Sequence, residues 1–313
     1  MRYGFGVDIL ATHLKFGFFE ETGKMLDKWQ VTLPGHLQSN EIVPAVAEEV
    51  ERYLSMKGIF EDDVIGIGVG VPGPVSSTGV VNRCVNLSWG VFNIERALAG
   101  LTGFHVKASN TANLSALGEY WMDDTIRNMV LMVMNTGLGG GIVCEGTLVN
   151  GANGGGGEIG HIIVNKEEKE ACTCGKYGCV EQYCSPIGIV RVARRQLNSS
   201  RAFSVLRGKK IFDYQDVLKA AAIGDKLAKD AMAQVYDYAG QALAAVCCVT
   251  NPDTIMLGGE FLKIGQPALD GISRAFRKYV FHANEAARFQ FAALGQDDVL
   301  YGAFKLVYDA FAE

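Results

Sequence analysis

The chain has 313 residues, 49% hydrophobic and 20% charged, with a formal net charge of −5. That is ordinary globular composition, with length enough for two domains. No block of five or more like charges occurs, the densest run ("NKEEKEA", 165–171) mixes signs, and no basic arm or DNA-binding module precedes the first strand, so no nucleic-acid partner is expected. No apolar run reaches 18 residues and "MRYGFGVDIL" lacks the features of a signal peptide, so no membrane association is expected. Eight cysteines without an export signal predict a cytoplasmic protein, not a disulfide framework.

In chain order, "RYGFGVDI" (2–9), "LKFGFFE" (14–20) and "MLDKWQVTL" (25–33) predict a three-stranded meander. Helical spacing of Ile42, Val43, Val46, Val50, Tyr53 and Leu54 predicts a helix from Asn40, with Ser39 as N-cap. "VIGIGVGVPGPV" (64–75) is a strand entering a rigid Gly/Pro turn, and "NIERALAGLTG" (93–103) a short helix. "HVKA" then leads through Ser109, Asn110 and Thr111 into a helix beginning "ANLSALGEYW", with Asn110 or Thr111 as cap. "NMVLMVMNTGLGGGIVCEGTLV" (128–149) repeats the strand–turn–strand theme of residues 5–19, a hint of internal duplication. A glycine-rich and then cysteine-rich segment fills 151–184. The rest is mostly helical, apart from the strand "TIMLGG" (254–259), and closes on the helix 299–311.

The most specific chemical pattern is "GEIGHIIVNKEEKEACTCGKYGCVEQY" (157–183). His161, Cys172, Cys174 and Cys179 form H-x10-C-x-C-x4-C. Three thiolates and an imidazole suit tetrahedral zinc, and four protein ligands leave no open position, so the ion would be structural. The neighbouring glycines let the loop fold tightly. The alternatives are free cysteines in a loop, or redox use of a C-x-C pair that lacks the usual C-x-x-C spacing. Cys184 is near enough to compete as a ligand, while Cys247 and Cys248 read as core residues. Zinc would draw Glu158 and Glu181 towards His161, a set suited to sugar hydroxyls; surface glutamates are the plainer reading. "MNTGLGGGI" (134–142) can cradle phosphate on backbone N–H groups, with Thr136 adding a hydroxyl. It is neither a Walker loop nor a dinucleotide fingerprint, and a tight hairpin explains it equally well. "LGGE" (257–260) is a weaker glycine pair at a strand end.

Taken together, "GVGVPGPV", "NTGLGGGIV", "GEIGH" with "CTCGKYGCVEQY", and "NPDTIMLGGE" resemble the ROK family of sugar kinases and sugar-responsive repressors, its glucokinases above all. The resemblance covers essentially the whole chain. It implies an α/β, two-lobed, actin-like or hexokinase-like ATPase fold with ribonuclease H-like lobes and a zinc-binding loop. The lobes are expected at 1–118 plus 299–313 (smaller) and 119–298 (larger, carrying the zinc and sugar loop). It implies a hexose, glucose favoured, in an interlobe cleft, and transfer of phosphate from ATP-Mg2+ to the sugar 6-OH. By position, Asn110, Glu158, His161 and Glu181 would bind sugar and His161 would also hold zinc. Asp8, Thr12, Thr136, Gly137, Gly139 and Gly140 would serve the phosphates, and Gly258 and Gly259 the adenosine. A homodimer or homotetramer is implied.

The departures are concentrated. The family's first hairpin reads D-x-G-G-T, whereas here it is "DILAT", with Leu10 and Ala11 in place of both glycines. Asn135 stands where glycine is usual, and Glu260 ends the G-G-G. The motif N-D-A-N supplies the family's general base. This chain has Asn110, Thr111, Ala112, Asn113, and a threonine does not ionise near neutral pH. The expected protein binds a hexose and turns over poorly. The alternatives are an active ATP:hexose phosphotransferase using another base, with His13 or Lys15 near the phosphates, or a non-catalytic sugar-responsive regulator.

Overall fold

The computed structural model describes residues 1–35, 38–82, 84, 87 and 89–312. In chain order the elements are β1 (Tyr3–Ile9), β2 (His13–Glu20), β3 (Met25–Thr32), α1 (Ser39–Lys57), β4 (Val64–Val71), β5 (Val80–Val81), β6 (Phe92–Asn93), α2 (Ile94–Thr102), β7 (Val106–Asn110) and α3 (Thr111–Trp121). There follow β8 (Asn128–Met134), β9 (Leu138–Cys144), β10 (Thr147–Leu148), α4 (Glu181–Cys184), α5 (Pro186–Ser199), α6 (Tyr214–Ala222) and α7 (Lys226–Thr250). The chain ends with β11 (Thr254–Gly259), α8 (Phe261–Ile264), α9 (Gln266–Tyr279), β12 (Arg288–Phe291) and α10 (Asp298–Phe311). The cap of α1 is Gln38, one residue before the expected Ser39; its N–H donates to the Glu41 carboxylate at 2.8 Å.

Two compact units result: residues 1–126, 141–157 and 293–313 form the first, and 127–140 and 158–292 the second. These limits differ from boundaries at 118/119 and 298/299. The chain leaves the second unit within β9. The segment after it is held in the first unit by α3, where a Cβ on Gly141 would lie 2.5 Å from the Ala116 side chain.

The first unit has a sheet of order β3-β2-β1-β4-β7, antiparallel through the hairpins and parallel from β1 to β4 to β7. Alternation explains its two faces. Phe5, Val7, Ile9, Ile67 and Val69 enter one core with Ile42, Val46 and Val50 of α1. On the opposite face β1 and β4 present Gly4, Gly6, Gly66, Gly68 and Gly70, which lets α10 lie directly on their backbone. A Cβ on Gly6 would stand 2.1 Å from the Leu300 carbonyl oxygen, and one on Gly68 1.7 Å from that of Ala303.

The second unit places β8 beside β11 and β11 beside β12, both pairs parallel, with β9 on the other side of β8. Its central strands β8 and β11 are nearly continuous runs of buried residues, as strands covered on both faces require. The strand β12 and the short pairings of β5 with β6 and β10 with β9 were not legible in sequence, because each has only two to four residues. Strand order in both sheets, a hairpin on one side and parallel strands on the other, is the duplication hinted at by the sequence. Among the described residues no helix is long and apolar enough to cross a membrane.

Candidate functional site

The metal candidate is built from one loop of the second unit. His161 ends a single 3-10 turn, Ile159–His161, and the chain returns on itself through bridges of Ile163 with Cys179 and Ala171 with Tyr177. Gly175 and Gly178 take φ of 81° each, the left-handed geometry that the reversals need. Ligand atoms of His161, Cys172, Cys174 and Cys179 lie within 4.8 Å of one another. Cys174 and Cys179 sulfurs are 3.6 Å apart, and Cys172 Sγ is 3.8 Å from His161 Nδ1. A tetrahedral zinc with Zn–S of about 2.3 Å puts neighbouring sulfurs roughly 3.8 Å apart, so the donor set and its spacing fit that ion. Burial, and then the neighbouring thiols, push Cys179 up to about 12. Cys184 does not compete: its thiol donates to the Val235 carbonyl in the core at 3.2 Å. Cys247 is buried as expected, but Cys248, a helical step further round, is exposed.

Around the loop lies a clasp that the sequence did not reveal. Glu168, buried, accepts from Tyr183 Oη at 2.6 Å and from both Arg195 terminal nitrogens at 2.8 and 2.9 Å. It also takes the Lys169 and Glu170 amides at 2.9 and 3.0 Å. The Arg195 guanidinium in particular holds its carboxyl far below the usual range, against the opposing effect of burial. Gln182 closes the other side, accepting from the Gly178 and Cys179 amides at 2.8 and 3.2 Å and donating to the Glu170 carbonyl at 2.9 Å.

The three predicted sugar residues of this unit do come together. His161 Nε2 faces Glu158 Oε2 at 3.9 Å, leaving Nδ1 to the metal side. Burial pushes the Glu158 carboxyl up, His161 opposes this, and Glu181 adds to it. Glu181 is already engaged, accepting from the Leu138 amide at 3.0 Å and from the Thr173 hydroxyl at 3.2 Å. The glycine-rich turn holds exposed Asn135 and Thr136. The register pairs Gly259 with Met134, bringing Gly258 and Gly259 beside this turn. A Cβ on Gly259 would meet the Met134 carbonyl oxygen at 2.1 Å and Asn135 Oδ1 at 2.6 Å, so the Asn135 side chain lies against that glycine. The Glu260 carboxylate is bonded to Tyr214 and, at 2.6 Å, to Lys263.

In the first unit the strand-to-helix turn is a cap. Asn110 Oδ1 accepts from the Ala112 amide at 2.8 Å, and Thr111 is the first helical residue. Buried Asn113 donates to Asn150 Oδ1 and to the Gly156 carbonyl, each at 3.2 Å, and Ser109 donates to the same Asn150 oxygen at 2.9 Å. The glycine loop 150–157 is thus tied to this turn, which sequence spacing alone did not show. The "DILAT" hairpin closes with the Leu10 amide on the His13 carbonyl at 3.0 Å, and neither Leu10 nor Ala11 adopts positive φ. The Thr12 hydroxyl lies 3.0 Å from His13 Nδ1. Asp8 is buried, and its Oδ1 has no hydrogen-bond partner. Burial raises its carboxyl to about 7 against the pull of Lys15, with Asp298 adding to the rise. Asp298 and Glu119 are also buried and raised by burial; Glu119 accepts the Ala293 and Leu294 amides, each at 2.8 Å. Neither acid stood out in sequence, since each sits in an otherwise ordinary helix.

Two α/β units of matching strand order, the second carrying a Cys3His loop, define the architecture of the chain. Residues 4–310 match the ROK family, and the chain belongs to that family. It is 34% identical over 313 residues to a glucokinase of Halalkalibacterium halodurans, covering 98% of this chain and 95% of that protein. A ROK family glucokinase from Streptomyces griseus, solved with glucose and AMPPNP, is similar at 28% identity and a TM-score of 0.75 over 99% of each chain. A ROK family transcriptional regulator, a homologue of the E. coli MLC protein, is similar at 25% identity and a TM-score of 0.86, over 98% of this chain and 78% of that one.

Proposed function

We propose that this ROK protein binds a hexose, glucose favoured, through Glu158, His161 and Glu181 on a loop shaped by structural zinc, and that it transfers phosphate poorly or not at all. The family pattern adds Asn110 as a further hexose contact. The carrying observation is Thr111 at the first turn of α3, where the family's general base stands: the capping side chain and the first helical residue are both neutral. General-base assistance is typically worth roughly 10²–10⁴ in rate.

The residues at the nucleotide positions do not fit ATP-Mg2+ well. Leu10 and Ala11 stand in place of both glycines of the family's phosphate hairpin, and the Asn135 side chain lies against Gly259. What this chain's residues do is hold hydroxyls: His161 presents Nε2 next to Glu158, and Glu181 offers a carboxylate fixed by two donors.

The test is isothermal titration of the full chain with several hexoses and, separately, with ATP-Mg2+, beside an ADP-release assay. Hexose binding with negligible ADP release is expected. Turnover of about 10 s⁻¹, an ordinary enzyme rate, would overturn the reading. The likeness to a transcriptional regulator favours a second reading, a sugar-responsive protein acting on a partner. Co-purifying partners that change with glucose would support it, and unchanged partners would count against it.

A further inference from the structure

The turn between β8 and β9 and the start of β9 hold Gly137, Gly139 and Gly140, yet none of the three takes left-handed backbone. At Gly137 and Gly140 it is neighbouring protein atoms, not backbone conformation, that occupy the space of a side chain. A Cβ on Gly137 would lie 2.5 Å from Glu181 Oε2, and one on Gly140 2.2 Å from the Ile159 side chain. From the other side, a Cβ on Gly160 would lie 2.0 Å from the Leu138 carbonyl oxygen. Ile159 and Gly160 lead directly into His161, and Glu181 follows Cys179 by two residues. The turn is therefore a seat cut to fit the metal loop.

One carboxylate joins the two. Glu181 Oε2 accepts from the Leu138 amide at 3.0 Å and Oε1 from the Thr173 hydroxyl at 3.2 Å. Thr173 lies between two candidate ligands, Cys172 and Cys174. A metal that fixes both cysteines fixes Thr173, which aims Glu181 at Leu138. The opposite edge of the loop is held independently of any ion, by Glu168 on the Glu170 amide and Gln182 on the Gly178 amide, at 3.0 and 2.8 Å.

We propose that Glu181 is a positioning residue through which the metal loop sets the conformation of the glycine-rich turn, so that loss of the metal frees the Leu138 amide. The proposal rests on the metal reading of His161, Cys172, Cys174 and Cys179, and not on whether a hexose or nucleotide binds.

Residue-resolved hydrogen exchange on the full chain tests it, with stoichiometric zinc and after chelation. Opening a locally held amide shows directly as lost protection, so Leu138 should exchange at least about tenfold faster without metal. The Glu170 amide, held by Glu168, should change much less. With zinc bound, Glu181→Ala should expose Leu138 to the same extent. Glu181→Gln, which keeps one acceptor oxygen, should lie between that variant and the parent. Gly137→Ala, which crowds Glu181, should also free Leu138 while zinc stoichiometry is kept. If Leu138 protection survives complete removal of bound zinc, or survives Glu181→Ala, the coupling is wrong. If the chain takes up no zinc when supplied with it, the metal reading fails and the proposal with it.

Discussion

Asp8 on β1 lies directly across the hairpin from Lys15 on β2, yet burial outweighs that lysine and lifts the Asp8 carboxyl to about 7. An acid raised in the folded state keeps its proton while the unfolded chain has lost it. Its contribution is therefore favourable at low pH and is lost as pH rises from about 4 to about 7. Asp8→Asn removes this term and its crowding with Asp298. Relative to the parent, the variant should gain roughly 2–4 kcal/mol between pH 5 and pH 8, as measured by urea unfolding at each pH. A stability difference that does not change with pH would show that Asp8 ionises normally.

Thr111→Asp restores a carboxylate at the start of α3 but leaves Leu10, Ala11 and Asn135 in place. If the phosphate positions are blocked as well, ADP release with hexose and ATP-Mg2+ should stay within about tenfold of the parent, below the usual yield of a general base. Adding Leu10→Gly and Ala11→Gly should then raise it further. A gain of about 10²-fold from Thr111→Asp alone would locate the whole defect at that residue.

Glu168 holds the segment between His161 and Cys172 through Arg195, Tyr183 and two amides. Groups that orient metal ligands typically carry 10–100-fold in affinity, so Glu168→Gln should speed zinc release to a chromogenic chelator by roughly that factor. A cobalt-substituted protein should show altered tetrahedral bands. An unchanged release rate would mean that the clasp serves only folding.

Gly68 faces the Ala303 carbonyl oxygen with no room for a methyl group. Gly68→Ala must push α10 off β4, and overpacking of this kind costs about 1–3 kcal/mol or more. The unfolding midpoint should fall accordingly, while zinc content should be unchanged because the metal loop belongs to the other unit.

Strands with strong alternation or continuous apolar runs were legible in sequence, because burial on one or both faces writes itself into the pattern. The Cys3His set was legible because ligand chemistry restricts residue type and local spacing. Glu168, Asp298 and Glu119 were not, because a buried acid differs from a surface one only in what surrounds it, and their partners Arg195, Ser115 and Leu294 are placed by the fold. Cys248 was misplaced with Cys247 because composition alone does not say which way a helix turns.

The sequence by itself determined the family, a Cys3His set of metal-donor type and a side chain at Thr111 that does not ionise near neutral pH, since each depends on residue identity at short range. Only the tertiary structure decided what the glycines are for. Those of β1 and β4 admit α10, Gly137 and Gly140 admit the metal loop, and Asn135 lies on Gly259. A glycine in sequence records only that a side chain is missing. The atom that needs the space, such as Glu181 Oε2 or the Ala303 carbonyl oxygen, arrives from a distant part of the chain.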